Sequence, residues 1–542
     1  MRRLAIVVSS VFALLLGVVT VASPATAGPV ETDVDNPVTA APAPTRPTTP
    51  HCTVTLARHF LSNAPDDAPQ GYAGTLRPPA ACPGPWAKVL LDQTISVSGR
   101  QFDRSAGLVV GGVQVYFGTT AEPSGATPTT YRVSTDVTDY QAVFRTPQPY
   151  TGGIVNYRDA TYTGNFDQTV SLTFFRATAA VPAAPSATVV RGQAASDVNG
   201  DSPSTTLALP ALPRNIVRAE LLLSVKGNGC DEQWFDAVPD TLVAAHPDAG
   251  LCGGGPFRQT SVALDGTRVA AVHTYPYLYT GGIVPTLWKP VPAIGTFSFT
   301  PERVDLTPFA ADLVDGATHA LRFTLDGARD TWQIIPTLLL WTDPGRSRTS
   351  GSVTRVDVAA PSPTTAIAGD HATVVDDRTD TTSGWLTTSA GRVTTTVVRT
   401  DAYRNDLTLT DDGLTEAVRQ TDRGGQTVTT RGGTPPPQVA HTWSYPIDVD
   451  LSAALYVDDQ NFSLSGHVRM GRITVDNDGR PADARSAAET VDASGVLART
   501  DGVTSTSDGS STSTFTGTDD TGRFGQRRIV TAHGQIVSDR TG

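Results

Sequence analysis

The residues with the most chemical potential fall in two clusters. Asp103 stands between Phe102 and Arg104 in "SGRQFDRSAGLVVGGVQV", and Glu122 follows in the loop "TAEPSG". Further along, "KGNGCDEQWFD" gathers Asp231, Glu232, Trp234 and Asp236 beside Cys230. Hydrolysis of a glycosyl or amide bond without a metal needs a carboxylate as nucleophile or general base, with a polar or cationic neighbour for the charge that develops. Both clusters meet that need. Each also has a structural reading: Asp103 beside Arg104 as an ion pair at a strand end, Glu122 as a solvated or capping loop acid, Asp231 and Glu232 as a turn near a disulfide. Trp86, Trp234 and Trp288 have the rings to stack on sugars, and equally to fill a β-sandwich core.

Other chemistries find little support. The nine histidines show no H-x-x-x-H or H-x-H grouping and no cysteine pair has C-x-x-C spacing, so neither a metal nor a cofactor is expected. There is no G-x-S-x-G, and the glycine-rich "GLCGGGPF" lacks the Gly-Lys-Ser/Thr of a phosphate loop. A formal charge of −12 argues against nucleic acid as partner.

The elements that must position these residues read as strands. "LRFTLD" places Leu321, Phe323 and Leu325 on one face, "ELLLSV" and "TLLLW" are apolar runs of strand length, and glycine-containing turns interrupt at short intervals. No long segment keeps a helical period, so an all-β sandwich architecture is expected.

Two regions share a plan. Arg104 opens "RSAGLVVGG" and a later "DVTDY" follows; Arg258 opens "RQTSVALDG" and "VDLTPF" follows, with Gly112 and Gly266 each eight residues beyond their arginine. The repeat fails where it is most informative: the residue before the arginine is Asp103 in one copy and Phe257 in the other. A carboxylate in place of an aromatic points to a role peculiar to the first copy.

The expected organisation is a signal peptide (1–27), a disordered Pro/Thr/Ala-rich linker (28–50), a first sandwich (51–190), a second (191–344) and a Thr/Asp/Gly-rich β C-terminal region (345–542). Arg2 and Arg3 before an apolar run from Leu4 to about Val21, with "ATA" at Ala25 to Ala27, predict general secretion to an extracellular location. No later segment is apolar enough for a membrane span. Four cysteines allow three connectivities; the local pairs Cys52–Cys82 and Cys230–Cys252, each within one domain, are expected. Should the C-terminal region be a spacer or binding module, deletion after about Pro344 would spare activity.

Seven motifs occur in one order from about Pro79 to Asp343: "GRQFDRSAGLVVGGVQV", "TAEPS", "YTGNF", "GNGCDEQW", "GPFRQTSVALDG", "YTGGIVPTLWKP" and "VDLTPF". Together they resemble the peptide-N4-(N-acetyl-β-glucosaminyl)asparagine amidase A family. That resemblance implies a metal-independent glycoamidase that cleaves the amide between the innermost N-acetylglucosamine and asparagine of an N-glycopeptide or glycoprotein, converting Asn to Asp and favouring acidic conditions. More distantly, "FDRSAGLVV" is similar to the Trp-Asp-Arg-Tyr-Ala segment of bacterial glycoamidases of the peptide N-glycosidase F type, which implies two jelly-roll-like domains packed side by side and a catalytic role for Asp103. The bacterial glutamate before a Cys-Phe-Arg segment has no counterpart in "GGGPFRQ". The site implied is thus Asp103 and Arg104 with Asp231 or Glu232 as the second acid, and Glu122, Trp234, Arg258 and Trp288 as substrate contacts. A non-catalytic lectin-like protein and a glycosidase acting on N-glycans are the alternatives.

Overall fold

The alternation of apolar and polar residues becomes strand pairing throughout. The computed structural model describes residues 36–62, 70–123, 125, 128–433, 438–458, 461–477, 485–519 and 521–542. The expected signal peptide lies outside them.

The first sandwich packs two four-stranded antiparallel sheets. One runs in spatial order His51–Ser62, Asn165–Arg176, Trp86–Ser98, Thr129–Asp136; the other runs Gly71–Leu76, Gln148–Ile154, Ser105–Val110, Val113–Thr119. Leu91, Ile95, Leu108, Val110, Phe166 and Leu172 close the core between them, each at most 1% exposed. The second sandwich sets Ser196–Val198, Trp332–Thr342, Ile216–Gly227 and Glu302–Asp305, joined by Val189–Gly192, against Ser204–Leu209, His319–Asp326, Gln259–Leu264 and Thr267–His273. Both expected disulfides form, Cys52–Cys82 in the first and Cys230–Cys252 in the second.

The internal repeat has a structural cause. Gly111–Gly112 and Asp265–Gly266 are two-residue hairpin turns with positive φ at both positions, 58° and 82° in the first and 48° and 87° in the second, the geometry that matches strand twist. Asp136 and Asp305 each accept the backbone N–H two residues on, from Thr138 (2.9 Å) and Thr307 (2.8 Å), and turn the chain out of its strand. These shared devices build the fold.

Two regions are bound to the sandwiches by specific contacts. Residues 36–50, read as a disordered linker, lack regular structure yet are tied down: Thr130 N–H donates to Asn36 Oδ1 (2.7 Å), Val38 N–H to the Pro290 carbonyl (2.9 Å) and Lys88 Nζ to the Thr45 carbonyl (2.8 Å), while Ala40 is buried against Val291, Phe515 and Ile529. Low apolar content kept the segment from folding by itself; a prebuilt surface supplies its partners. The C-terminal region, expected to be β-rich with its role left open, is one eleven-stranded antiparallel sheet, Ser350–Asp357 through Gln535–Thr541. Its inner face continues the core of the second sandwich through Tyr403, Leu407, Trp443, Val449 and Val468. Its polar contacts are equally specific. Arg378, itself buried, reaches Gln259 Oε1 (2.7 Å) of the sandwich and Asp401 Oδ2 (2.6 Å) of the sheet.

Candidate active site

Where the sandwiches meet, backbone and side chains cross the seam: Thr119 N–H donates to the Thr296 carbonyl (2.9 Å) and Thr280 Oγ1 to the Thr120 carbonyl (3.1 Å). Asp103 lies at this seam because the chain pins both its neighbours. Arg104 N–H donates to Thr120 Oγ1 (2.9 Å), and Gln101, fully buried, anchors the preceding turn through the Tyr157 and Gly164 carbonyls. Between these anchors the half-buried Asp103 carboxylate accepts one backbone N–H from the second sandwich, that of Gly281, at 2.8 Å.

Gly281 is the hub of the site. A Cβ there would come 2.3 Å from Glu122 Oε2 and 3.1 Å from Asp103 Oδ2, so only glycine lets both acids approach one point of the loop. Glu232 stands close enough to be perturbed by the Asp103 charge, and Lys226 feels both acids: burial lowers its pKa, and the charges of Glu232 and Asp103 oppose that shift. Lys226 Nζ sits 4.7 Å from the centroid of the Tyr279 ring and bonds Asn228 Oδ1.

The electrostatics divide the acids. Burial pulls the Asp103 pKa up, while the Gly281 N–H and the charges of Lys226 and Arg104 pull it back; the balance remains raised. Burial and the Asp103 charge push Glu122 to about 8 against Lys289 and Arg100, and push Glu232 to about 7 against Lys226. Asp236, raised to about 8 by burial and by Glu232, extends the cluster inward. Asp103 alone combines a stabilising N–H with two cations, so when the cluster loses its first proton the negative charge resides there, with Glu122 and Glu232 protonated on either side.

Asp231 is otherwise placed. Fully buried, it pairs with Arg258, whose Nε lies 3.2 Å from Oδ1, and accepts Arg329 N–H (2.7 Å), Asp330 N–H (2.8 Å) and Trp332 Nε1–H (2.7 Å) on Oδ2. Burial would raise its pKa, but Arg258 and the backbone donors hold it below the ordinary carboxylate value. Every oxygen is occupied, so Asp231 is a structural brace, and Arg258, 2% exposed, cannot meet substrate. Trp234 and Trp288, also 2% exposed, are core residues: Trp234 packs by Phe235 and Tyr403, and Trp288 Nε1–H is spent on the Gly282 carbonyl (2.8 Å). Trp86 likewise is buried. Arg104 turns from Asp103, donating to Gln101 Oε1 (3.0 and 2.7 Å) and the Tyr157 carbonyl (2.9 Å).

The exposed rings beside Asp103 are others. Phe102, 41% exposed, stacks on Tyr162 with centroids 3.6 Å apart, and Tyr157 is 64% exposed; Arg104 faces the rings of Phe102 and Tyr157. Sequence reasoning passed over Tyr157 and Tyr162 because it ranked rings by tryptophan chemistry, and missed Lys226 and Gly281 although both stand in or beside quoted motifs. A cavity of 590 Å³ between the Val113–Thr119 strand, the 292–301 segment and residues 39–44 includes none of these acids. Among the described residues one group has metal-ligand types in reach of each other, His273, Asp401 and Asp422, but arginines fill it: Arg399 Nη2 is 2.9 Å from His273 Nδ1 and Arg378 holds Asp401.

Residues 37–359 match the family described as peptide N-acetyl-β-D-glucosaminyl asparaginase amidase A. The chain belongs to this family. The match spans both sandwiches and all the acids above, and ends at the start of the long sheet. A relative from Prunus dulcis, peptide-N4-(N-acetyl-β-glucosaminyl)asparagine amidase A, is 28% identical over 406 residues, 69% of each chain. Solved structures with a similar arrangement include PNGase F of Flavobacterium meningosepticum, described as a glycosylasparaginase (TM-score 0.33, 14% identity, 54% of this chain and 96% of that one), and PNGF-II (TM-score 0.38, 10% identity, 54% and 66%). Likeness at that level bears on neither site nor substrate.

Proposed function

We propose that this protein is a glycoamidase that hydrolyses the amide between the innermost N-acetylglucosamine and asparagine of N-glycopeptides, releasing the glycan and leaving Asp. The observation that carries the reading is the Asp103 carboxylate at the seam, bonded to Gly281 N–H and flanked by two carboxyls that burial keeps protonated, in a chain of this family. The 51–190 sandwich supplies Asp103 and Glu122; the 191–344 sandwich supplies Lys226, Glu232 and Gly281.

The chemistry follows from one ionised and one protonated acid. Asp103 takes a proton from water as its oxygen attacks the side-chain amide carbon. Glu232 gives a proton to the departing glycosylamine nitrogen as the C–N bond breaks. Lys226 keeps the charge of the cluster near Asp103 and lowers the cost of the oxyanion. Tyr157 and the exposed part of the Phe102–Tyr162 stack offer apolar surface for the innermost sugar. The arrangement works while Asp103 is ionised and Glu232 protonated, which places the best rate below about pH 7, the pKa of Glu232. Two disulfides suit the secreted location that we also propose.

Mass spectrometry of a defined N-glycopeptide incubated in oxygen-18 water tests the reading. Aspartate carrying the label at the former glycosylation position, with the whole glycan released, is the expected product. A peptide that keeps one N-acetylglucosamine would make the protein a glycosidase, and a bound but intact substrate would make it a lectin-like module.

A further inference from the structure

We infer that the C-terminal sheet is part of the catalytic apparatus, acting as a seat that fixes the Gly281 loop against Asp103; the inference rests on the reading of Asp103 above. Gly466 pairs directly with Gly495, and Gly495 with Gly509, so three neighbouring strands carry glycine at one cross-strand row. None of the three has a positive φ, so backbone conformation does not call for glycine there. Space does. A Cβ on Gly466 would meet Val284 Cγ2 at 3.0 Å and Ile283 Cγ2 at 3.2 Å; on Gly495, Thr286 Oγ1 at 2.5 Å; on Gly509, the Thr286 carbonyl oxygen at 2.0 Å. Glycine weakens a strand interior and marks a close approach of another backbone. Here the row accepts Ile283 to Leu287, which Thr286 Oγ1 also ties to the Val496 carbonyl (3.2 Å).

A second observation points the same way. Ile283, β-branched, has φ of 61°, a conformation that persists only where surroundings impose it. The surroundings are the glycine row on one side and the site on the other. With the Gln233 amide oriented to satisfy both partners, Ile283 N–H donates to its oxygen (3.1 Å) and its nitrogen donates to Asp236 (3.2 Å). Two residues upstream, Gly281 N–H holds Asp103. The sheet lies almost wholly beyond residues 37–359, yet it carries the floor under the loop that completes the site. Gly466, Gly495 and Gly509 are positioning residues: they touch no reacting atom and act through the loop.

The test compares full-length Gly509→Ala and Gly495→Ala with Gly517→Ala, whose Cβ would press at 2.2 Å on the Ser486 carbonyl of its own sheet, away from the loop. All are assayed on one N-glycopeptide beside wild type and Asp103→Asn, with thermal unfolding recorded. Gly509→Ala is expected to lose about tenfold or more in kcat with KM little changed. Its acid limb of kcat/KM should move to higher pH, because loosening the Gly281 N–H removes a bond that favours ionised Asp103. Gly517→Ala should unfold earlier while keeping both kcat and the limb. Gly495→Ala should behave as a milder Gly509→Ala, since the atom it meets at 2.5 Å is the Thr286 side-chain oxygen rather than a carbonyl of the loop; it carries the test should Gly509→Ala fail to fold. Wild-type rates and an unshifted limb in both loop-seat variants, with Asp103→Asn inactive, overturn the inference alone. An active Asp103→Asn overturns the reading of Asp103 and the inference with it.

Discussion

Asp103 and Asp231 make an instructive pair. Both are aspartates named as candidate acids, one in each sandwich; Asp103 directly precedes Arg104 at a strand start, whereas Asp231 lies in a turn and meets Arg258 only in the fold. Asp231 is sealed from solvent with Arg258, two backbone N–H groups and an indole N–H on its oxygens, and its pKa is depressed. Asp103 has a single backbone donor, its neighbouring arginine is engaged elsewhere, and its pKa is raised. A saturated carboxylate is a brace, and an unsaturated one beside protonated acids is poised to react. The number of donors, which chain neighbours do not determine, separates the two.

The largest effect on stability should come from Asp231→Ala, which leaves the Arg258 charge buried without its partner; about 3–5 kcal/mol of folding free energy should be lost in denaturant unfolding. A near-neutral result would remove Asp231 from the role of brace. On the other side, Glu232→Gln should cost roughly 10²-fold in kcat/KM and abolish the basic limb of the pH profile near 7, while unfolding changes little. Retention of that limb would assign the proton to Glu122 instead.

A smaller effect sharpens the contrast without mutation. Glu122, Glu232 and Asp236 bind protons more tightly folded than unfolded, so the stability they favour is complete below their ordinary values near 4 and is lost as pH rises through about 7 to 8. Asp231 has the opposite sign: its contribution is present above 3.8 and is lost as pH falls further. The melting temperature should therefore peak in the mildly acidic range, higher at pH 5 than at pH 8 by more than about 2 °C. A curve flat to pH 8 would contradict the raised acids.

Much of this was legible in the residues. The alternation in "LRFTLD" and the turn glycines Gly112 and Gly266 announce paired strands and hairpins, and the mismatch of Asp103 with Phe257 in an otherwise shared plan singles out the aspartate. Glu232 was legible only together with Asp231, since adjacent acids in "CDEQW" face opposite ways once the turn closes. The donors that saturate Asp231, from Arg329 to Trp332, lie some hundred residues downstream and could not be assigned to it from spacing. Trp234 and Trp288 misled for a related reason: an indole reads alike whether it faces solvent or, as here, a core. The C-terminal sheet gave its strands away through alternating threonines, but not what its inner face docks against. Gly466, Gly495 and Gly509 align only after register is fixed.

The most direct measurement sets Asp103→Asn beside Asp231→Asn, with deglycosylation rate and thermal unfolding determined on the same preparations. Asp103→Asn should lose more than about 10³-fold in rate and melt no lower than wild type, because a neutral amide suits a site that already resists the charged form. Asp231→Asn should melt well below wild type. A fully active Asp103→Asn, or one that unfolds as readily as Asp231→Asn, would contradict the account.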